Sequence, residues 1–214
     1  MELSRFQMVG RLGRSGAALC GLLSLLLLAG GAGAEDEAKI PDPVFLGQTA
    51  TQWLDSLVKT AGSREWRQQE MATTAALKRL GDSAVPPLAQ LMHHDDHLVK
   101  TYALRSLRKY GKAALPHFAS IALMMQDDDY VVAKSAEQTV EQLLVEVDGA
   151  VAEAVKLLAH EDAAVRRSMA VELGRLSHRG RAALPALKAL AETDADPLVR
   201  QEAERAIQFM GRNQ

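Results

Sequence analysis

The sequence predicts an all-α protein in which helical hairpins stack into a right-handed α-α superhelix of about four hairpins with an N-terminal cap helix. A phrase that begins with Gly and ends with Pro five residues later occurs three times, each time before an apolar run. Gly tolerates the left-handed backbone that ends a helix, and Pro fits the first turn of the next helix. The phrase therefore predicts the hinge of a helical hairpin. Its copies are Gly81–Pro86, Gly111–Pro116 and Gly180–Pro185.

A second observation is a valine that recurs at intervals of 33, 33 and 34 residues, at Val99, Val132, Val165 and Val199. Apolar residues follow each valine four and eight positions later, which places them on one face of an α-helix. The composition agrees, because 48% of the residues are hydrophobic and only 4% are aromatic, whereas sheets favour aromatic and β-branched residues. These patterns predict a chain of similar helical repeats.

Acidic residues precede each of these valines, where they can cap the helix that begins there. A carboxylate at a helix N-terminus accepts hydrogen bonds from free backbone N–H groups and meets the positive end of the helix dipole. In three repeats a basic residue also follows the acid by four positions, a spacing that favours an ion pair along the helix. The expected pairs are Asp96 with Lys100, Asp162 with Arg166 and Asp196 with Arg200.

The N-terminal segment has the organisation of a secretory signal peptide. Arginines precede an apolar run, and small residues end at Ala34 before an acidic cluster. We therefore expect an exported protein, periplasmic or extracellular, cleaved after Ala34. A segment retained as a membrane anchor is the alternative, and only then is a membrane an expected partner. The single cysteine, Cys20, lies in this segment, so the mature chain is expected to have no disulfide.

The elements then follow in order along the chain. Residues 1–34 form the signal peptide, 35–50 a linker, 51–62 the cap helix and 63–211 the repeat domain. Within these limits the cap helix is expected at 51–60 and the last helix at 197–210. The hairpins are predicted at 64–80 with 86–93, 97–110 with 116–125, 129–145 with 150–159, and 163–177 with 183–192.

The pattern shared by these repeats resembles the HEAT repeat. It comprises an acidic cluster, Val followed by Lys or Arg, Ala four residues later, a Gly turn and a second Leu-rich helix. The short period and the start Asp162-Ala-Ala-Val165-Arg166 are similar to bacterial HEAT-like repeats of the phycobilisome-lyase type. The resemblance covers residues 63–211. It implies a HEAT-like solenoid and a scaffold or adaptor function. A minority of such proteins join tetrapyrroles to proteins, and some are metal-dependent hydroxylases built on several His-Glu pairs.

Enzymatic alternatives depend on few residues. The loop with His93, His94 and His97 has metal-ligand residue types, but adjacent loop residues rarely converge on one ion, so we expect a solvated loop. Only one His-Glu pair, His160-Glu161, is present, which argues against the hydroxylases. We expect no catalytic constellation and no cofactor. An enzyme of the tetrapyrrole-lyase or metal-dependent type is kept as the alternative.

In HEAT-like solenoids the second helix of each hairpin lines the concave side, so the resemblance implies a partner surface there. Counting from the hinge proline, or from Ala152 in the third hairpin, which has no such proline, predicts the outward-facing residues of this surface. They are Gln90, His94, His117, Ser120, Met124, Glu153, Lys156 and His160. The sequence therefore predicts a non-enzymatic scaffold that binds a protein or a polymer along this face.

The fourth hairpin is locally basic and could meet an anionic partner. The alternative is a solvated helix face whose charges are balanced by nearby glutamates. The formal charge of −2 argues against nucleic acid as the partner. The candidate residues are Arg166, Arg167, Arg175, Arg179 and Arg181.

Overall fold

The computed structural model describes residues 42–212, and these residues form ten α-helices and no β-strand. The predicted signal peptide and residues 35–41 of the predicted linker lie outside the described residues. The predicted all-α solenoid is confirmed. The helices are α1 (Ala50–Val58), α2 (Trp66–Leu80), α3 (Val85–Leu91), α4 (His97–Leu107), α5 (Phe118–Leu123), α6 (Tyr130–Glu146), α7 (Ala150–Leu157), α8 (Ala163–Arg175), α9 (Leu184–Thr193) and α10 (Pro197–Arg212).

The helices form two layers. Helices α2, α4, α6, α8 and α10 are the first helices of successive repeats, and α3, α5, α7 and α9 are the second helices. Helix α1 packs on α2 and α3 at the N-terminal end of the repeats, as expected of a cap helix. Its start is fixed by a capping box between Thr49 and Gln52. A continuous apolar core lies between the two layers.

Each hinge phrase begins in a 3₁₀ segment between the helices of a hairpin, and Pro86 and Pro185 lie in the first turns of α3 and α9, as predicted. Gly81 and Gly111 have φ angles of 64° and 52°, as the hinge interpretation requires. In the third copy the positive φ belongs to Ser177 instead, at 53°. Gly180 is needed for space, because a Cβ there would lie 2.5 Å from the carbonyl oxygen of Leu173. The left-handed role predicted for Gly180 is therefore wrong.

Helix α5 is shorter than predicted. The sequence predicts a helix over 116–125, whereas α5 runs from Phe118 to Leu123. Pro116 lies inside the 3₁₀ segment Arg108–His117 rather than in the first turn of the helix. The second helix of this repeat consequently begins later than a count from its proline suggests.

Aspartates cap the first helices as predicted. The Oδ1 atoms of Asp96, Asp129, Asp162 and Asp196 accept backbone N–H groups at 2.7–2.8 Å. The residue two positions before each of these aspartates accepts the backbone N–H of the aspartate itself, at 2.9–3.1 Å. These second acceptors alternate between histidine and aspartate along the chain. They are His94, Asp127, His160 and Asp194.

The ion pairs predicted within these helices are wrong, and two of the three cations instead reach the turn that begins the next repeat. Lys100 Nζ lies 2.8 Å from Asp127 Oδ2. Nε and Nη2 of Arg166 donate to the two carboxylate oxygens of Asp194 at 2.7 and 2.8 Å. Arg200 instead donates to the backbone carbonyl oxygens of Asp194 and Ala195.

We call the Lys100–Asp127 and Arg166–Asp194 pairs the clasps. They connect α4 to the turn before α6, and α8 to the turn before α10. At the corresponding position between α6 and α8 the residues are Ala133 and His160, which cannot form such a pair. The clasped first helices also pack closely, α4 on α6 and α8 on α10. The pairs α2 and α4, and α6 and α8, approach each other less closely.

Candidate interaction surfaces

A groove of about 480 Å³ opens on the face formed by the second helices, between α7 and α9. Its long walls are apolar, with Val155 and Leu158 on the α7 side and Ala186, Ala189 and Leu190 on α9. Its end is polar, where His160 and the clasp between Arg166 and Asp194 reach the surface. A groove with apolar walls and a polar end is suited to a side chain or a short helix of a protein partner.

The exposed residues that line this groove are uncharged, namely Ala159, Ala189, Thr193 and Ala195, while α9 also exposes Lys188 and Glu192 nearby. Ala152, Ala159 and Ala189 are exposed on α7 and α9 and at the turn that follows α7. On α5, Leu123 is 39% exposed. Charges on α7 include Lys156 and Glu153, which pair with each other at 2.7 Å. This face is consequently less charged than the face of the first helices.

The eight residues predicted for this face differ in exposure. Gln90 and Lys156 are exposed on α3 and α7, whereas Ser120 and Glu153 are half-buried on α5 and α7. The remaining four are half-buried: His117 and Met124 flank the ends of α5, and His94 and His160 lie in the inter-repeat turns.

The histidine loop is part of a helix cap. Nδ1 of His94 accepts the backbone N–H of Asp96 at 2.9 Å, which occupies that ring nitrogen. His160 makes the same contact with Asp162, at 3.1 Å. Within residues 42–212 no group of three or more His, Cys, Asp or Glu side chains could hold a metal ion.

The five arginines of the fourth hairpin do not form one basic surface. Arg166 is used in a clasp, and Arg175 pairs with Glu137 and Glu172. Arg179 donates to the carbonyl oxygen of Val145 at 3.2 Å. The other two, Arg167 and Arg181, are exposed.

A second groove, which we call the Glu172 groove, opens on the opposite face between α6 and α8. It comprises two adjoining cavities of about 390 and 250 Å³ that share Glu172 and Arg175 in their walls. An ion-pair chain crosses it, in which Lys134 binds Glu137 at 2.6 Å and Glu137 binds Arg175 at 2.8 Å. Arg175 also donates to Glu172, so positive and negative groups alternate along the chain.

The pKa values along this chain follow from pairing and burial. The hydrogen bond from Lys134 lowers the pKa of Glu137, with a further contribution from Arg175. Burial raises the pKa of Glu172 to about 7, and Arg175 only partly opposes that rise. Sequence reasoning missed Glu172, although aligning the repeats by their period would have revealed it among hydroxyl residues.

A third cavity, of about 520 Å³, lies between α2 and α4. Tyr102 and Tyr110 are in its walls, and their hydroxyl groups contact Thr74 and the carbonyl oxygen of Leu77, each at 3.2 Å. Burial raises the pKa of Tyr110 to about 12, so its hydroxyl stays protonated. Lys78 and other charged residues at the rim are exposed.

These features define an all-α solenoid whose grooves lie between stacked hairpins. The family model of HEAT repeats matches residues 119–208. A crystal structure of an engineered protein from the Northeast Structural Genomics Consortium is similar over 77% of this chain and 85% of its own, with 19% identity and a TM-score of 0.40. No curated protein matches the sequence. The helices and the family match support a HEAT-like repeat protein, and HEAT repeats generally act as scaffolds for protein–protein interactions.

No helix within residues 42–212 is both long and apolar enough to cross a membrane.

Proposed function

We propose that this protein is a non-enzymatic scaffold that binds a protein partner along the face of its second helices. The observation that carries the proposal is the groove between α7 and α9, with its apolar walls and polar end. The HEAT-repeat match supports the class of function. In this proposal the partner inserts an apolar anchor between the two helices, and smaller contacts along α3 and α5 add to the affinity.

The composition of this face favours a protein over a charged polymer. The central parts of protein interfaces are depleted of charged residues. Here the exposed residues that line the groove are Ala159, Ala189, Thr193 and Ala195. The nearby charges also balance, because Lys156 pairs with Glu153 on α7, and α9 exposes one lysine, Lys188, and one glutamate, Glu192. A polyanion or polycation would find little net charge to bind.

The proposed setting is the periplasm or the extracellular space, on the basis of the signal-like residues 1–34. The mass of the protein recovered from its native cells tests this part. A chain that begins at Glu35 supports export with cleavage. A chain that keeps the apolar run would support the membrane-anchored alternative.

The binding face is tested by affinity capture from an extract of the exported fraction. The bait is the chain from Glu35 onward, as wild type and as the variant Ala189→Arg, which places a long charged side chain in the groove. The control is Ala72→Arg, at an exposed position on α2, a first helix. Both substitutions introduce a good helix former at an exposed site, so both variants are expected to fold.

The proposal expects a specific protein that is captured by the wild type and by Ala72→Arg and is lost with Ala189→Arg. Equal capture by all three baits would exclude the α7–α9 groove as the binding site. Loss of capture with Ala72→Arg alone would place the binding site on the first helices.

A further inference from the structure

The cavity of about 520 Å³ between α2 and α4, which we call the α2–α4 cavity, lies at a joint without a clasp. The two helices do not pack closely on each other there, and side chains bridge the gap between them. The hydroxyl groups of Tyr102 and Thr74 lie 3.2 Å apart, and Tyr110 donates to the carbonyl oxygen of Leu77 at 3.2 Å. Two hydrogen bonds from tyrosines of one repeat to α2 of the previous repeat therefore frame this cavity.

The interior of the α2–α4 cavity is uncharged and largely apolar. Leu77 and the ring of Tyr102 are buried in its wall, and the ring of Tyr110 lies beside them. Thr74 and Ser106 both form hydrogen bonds with the hydroxyl group of Tyr102. Burial raises the pKa of both tyrosines, so neither hydroxyl carries a negative charge near neutral pH. The interior consequently suits the apolar part of a ligand.

The rim of the cavity is basic. Its charged residues are Lys78, Lys109 and Asp82, all exposed, so two cations face one acid. The stretches of chain that supply the walls, residues 74–82 and 102–110, also contain three arginines and no further acid. These arginines are Arg79, Arg105 and Arg108. The walls and their immediate neighbours therefore have five cations against one carboxylate.

These five cations have no acidic partner within residues 42–212. The ion pairs of the described chain all use other cations, namely Lys100, Lys134, Lys156, Arg166, Arg175 and Arg205. Glu70 acts on Tyr102 through its charge but does not line the cavity. The negative end of a helix dipole amounts to about half an elementary charge, so the ends of α2 and α4 together offset about one of the cations. The charge that complements this rim is negative.

The size of the cavity indicates a small molecule. Pockets that bind small molecules have volumes of about 300–1,000 Å³ and combine mostly apolar walls with a few charged or polar groups that fix the orientation of the ligand. The α2–α4 cavity meets both conditions. Since the charged groups of the wall itself sum to one positive charge, a ligand with a single negative charge matches them.

We propose that the α2–α4 cavity binds a small organic carboxylate with an apolar body. The body packs on Leu77 and on the rings of Tyr102 and Tyr110, and the carboxylate group faces Lys78 and Lys109 at the rim. The site lies between first helices and shares no residue with the α7–α9 groove. It is therefore independent of the proposed scaffold function, and either can fail without the other.

The test is a titration of the chain from Glu35 onward with cinnamate, an aromatic monocarboxylate. Binding is followed by the ring resonances of ¹³C-labelled tyrosine, because the chain has only three tyrosines. Tyr102 and Tyr110 line the cavity, whereas Tyr130 does not and serves as an internal reference. The expected result is a saturable shift of the first two resonances with half-saturation below about 10 mM, the range for a ligand of this size, and no shift of Tyr130.

Three related probes separate the contributions of charge and apolar body. Cinnamamide has the shape of cinnamate without its charge and should bind about fivefold more weakly, as expected for the loss of charge pairs at an exposed rim. Cinnamylammonium has the opposite charge, and acetate has no apolar body. Neither of these two should saturate in the same range.

The double variant Lys78→Gln/Lys109→Gln removes both lysines of the wall. It should weaken the binding of cinnamate about fivefold and leave the binding of cinnamamide unchanged. The matched control is Lys59→Gln/Lys188→Gln, which removes the same charge at two exposed positions outside the wall. This control should bind cinnamate as the wild type does.

Four outcomes would overturn the proposal. The first is no saturation by cinnamate up to about 10 mM. The second is binding of cinnamamide or cinnamylammonium as tight as that of cinnamate. The third is equal affinity for cinnamate in the Lys78→Gln/Lys109→Gln variant and its control. The fourth is a shift of Tyr130 as large as those of Tyr102 and Tyr110, which would mean that cinnamate binds without preference for this cavity.

Discussion

Two opposing effects decide the charge of Glu172. Burial disfavours the carboxylate and raises its pKa from 4.5 to about 7, while Arg175 favours the carboxylate. Glu137 and Glu141 add to the rise. The folded protein therefore holds a proton on this residue at pH values where the unfolded chain has released it.

This proton predicts a pH dependence of stability. Between about pH 4.5 and pH 7 the folded state binds more protons than the unfolded state, so the contribution of Glu172 to the unfolding free energy falls as pH rises. The contribution is fully present below pH 4.5, and a shift of this size corresponds to a loss of up to about 3 kcal/mol by pH 8.

Urea unfolding of the wild type and of Glu172→Thr at pH 5, 6, 7 and 8 measures this contribution. The unfolding free energy of Glu172→Thr should rise relative to that of the wild type as pH rises. The unfolding free energy of Glu161→Thr, at an exposed position of an inter-repeat turn, should change with pH as that of the wild type does. Parallel curves for the wild type and Glu172→Thr would show that Glu172 does not titrate in this range.

At the scale of the helices, close packing between α8 and α10 depends on the absence of a side chain. A Cβ at Gly174 would lie 2.8 Å from Cβ and 2.9 Å from Cα of Ala206. The backbone of α10 cannot move away freely, because Ala206 and Met210 are buried against the core. Gly174 therefore sets the distance between the two helices.

Gly174→Ala is predicted to destabilise the protein, although alanine is the better helix former by about 1 kcal/mol. Overpacking in a tight interface costs about 1–3 kcal/mol, and since the contact is with backbone we expect the cost near the upper end and a net loss of about 1–2 kcal/mol. Gly211→Ala is the control, because a Cβ at Gly211 meets nothing within 4 Å. Chemical unfolding of both variants decides the question, and equal stabilisation of both would contradict the packing argument.

The helix boundaries could be predicted from the sequence because their causes are local. The aspartate caps act on N–H groups two or three residues away, and the predicted first helices agree with the structure to within about three residues at each end. The partners of Lys100 and Arg166 could not be predicted in this way, since they lie 27 and 28 residues along the chain. Those pairs depend on how one repeat stacks on the next.

The candidate sites were predictable only in part. The sequence indicated the face of the second helices, and a groove is found there, but the start of α5 depends on where the 3₁₀ segment ends. The basic patch was predicted from the abundance of arginine, whereas the structure pairs Arg175 and Arg166 with acids from other helices. Net charge of a segment does not reveal which charges its neighbours neutralise.

Across the whole molecule, the clasps distinguish two kinds of joint between repeats. In the Arg166–Asp194 clasp the side chains are 14% and 5% exposed, so solvent weakens the pair little. The joint between α6 and α8 has Ala133 and His160 at these positions. The cavities of about 520 and 390 Å³ lie at the joints without a clasp.

A double-mutant cycle of Arg166→Ala and Asp194→Ala should give a coupling energy of about 1–3 kcal/mol, as for hydrogen bonds between charged groups with little exposure. The same cycle at Lys156 and Glu153, whose side chains are 68% and 36% exposed, should give about 0.5 kcal/mol or less. Denaturant unfolding supplies both values. Coupling of similar size in the two cycles would mean that the clasp does not hold the repeats together.

The alternation of joints with and without a clasp also has a mechanical consequence. We expect the clasped pairs to be the stiffer parts of the solenoid and bending to occur at the joints without a clasp, one of which lies between α6–α7 and α8–α9. The Glu172 groove and the α7–α9 groove lie on opposite sides of this one joint. A bend that widens one must narrow the other, so two occupants on opposite faces would oppose each other through the curvature of the backbone.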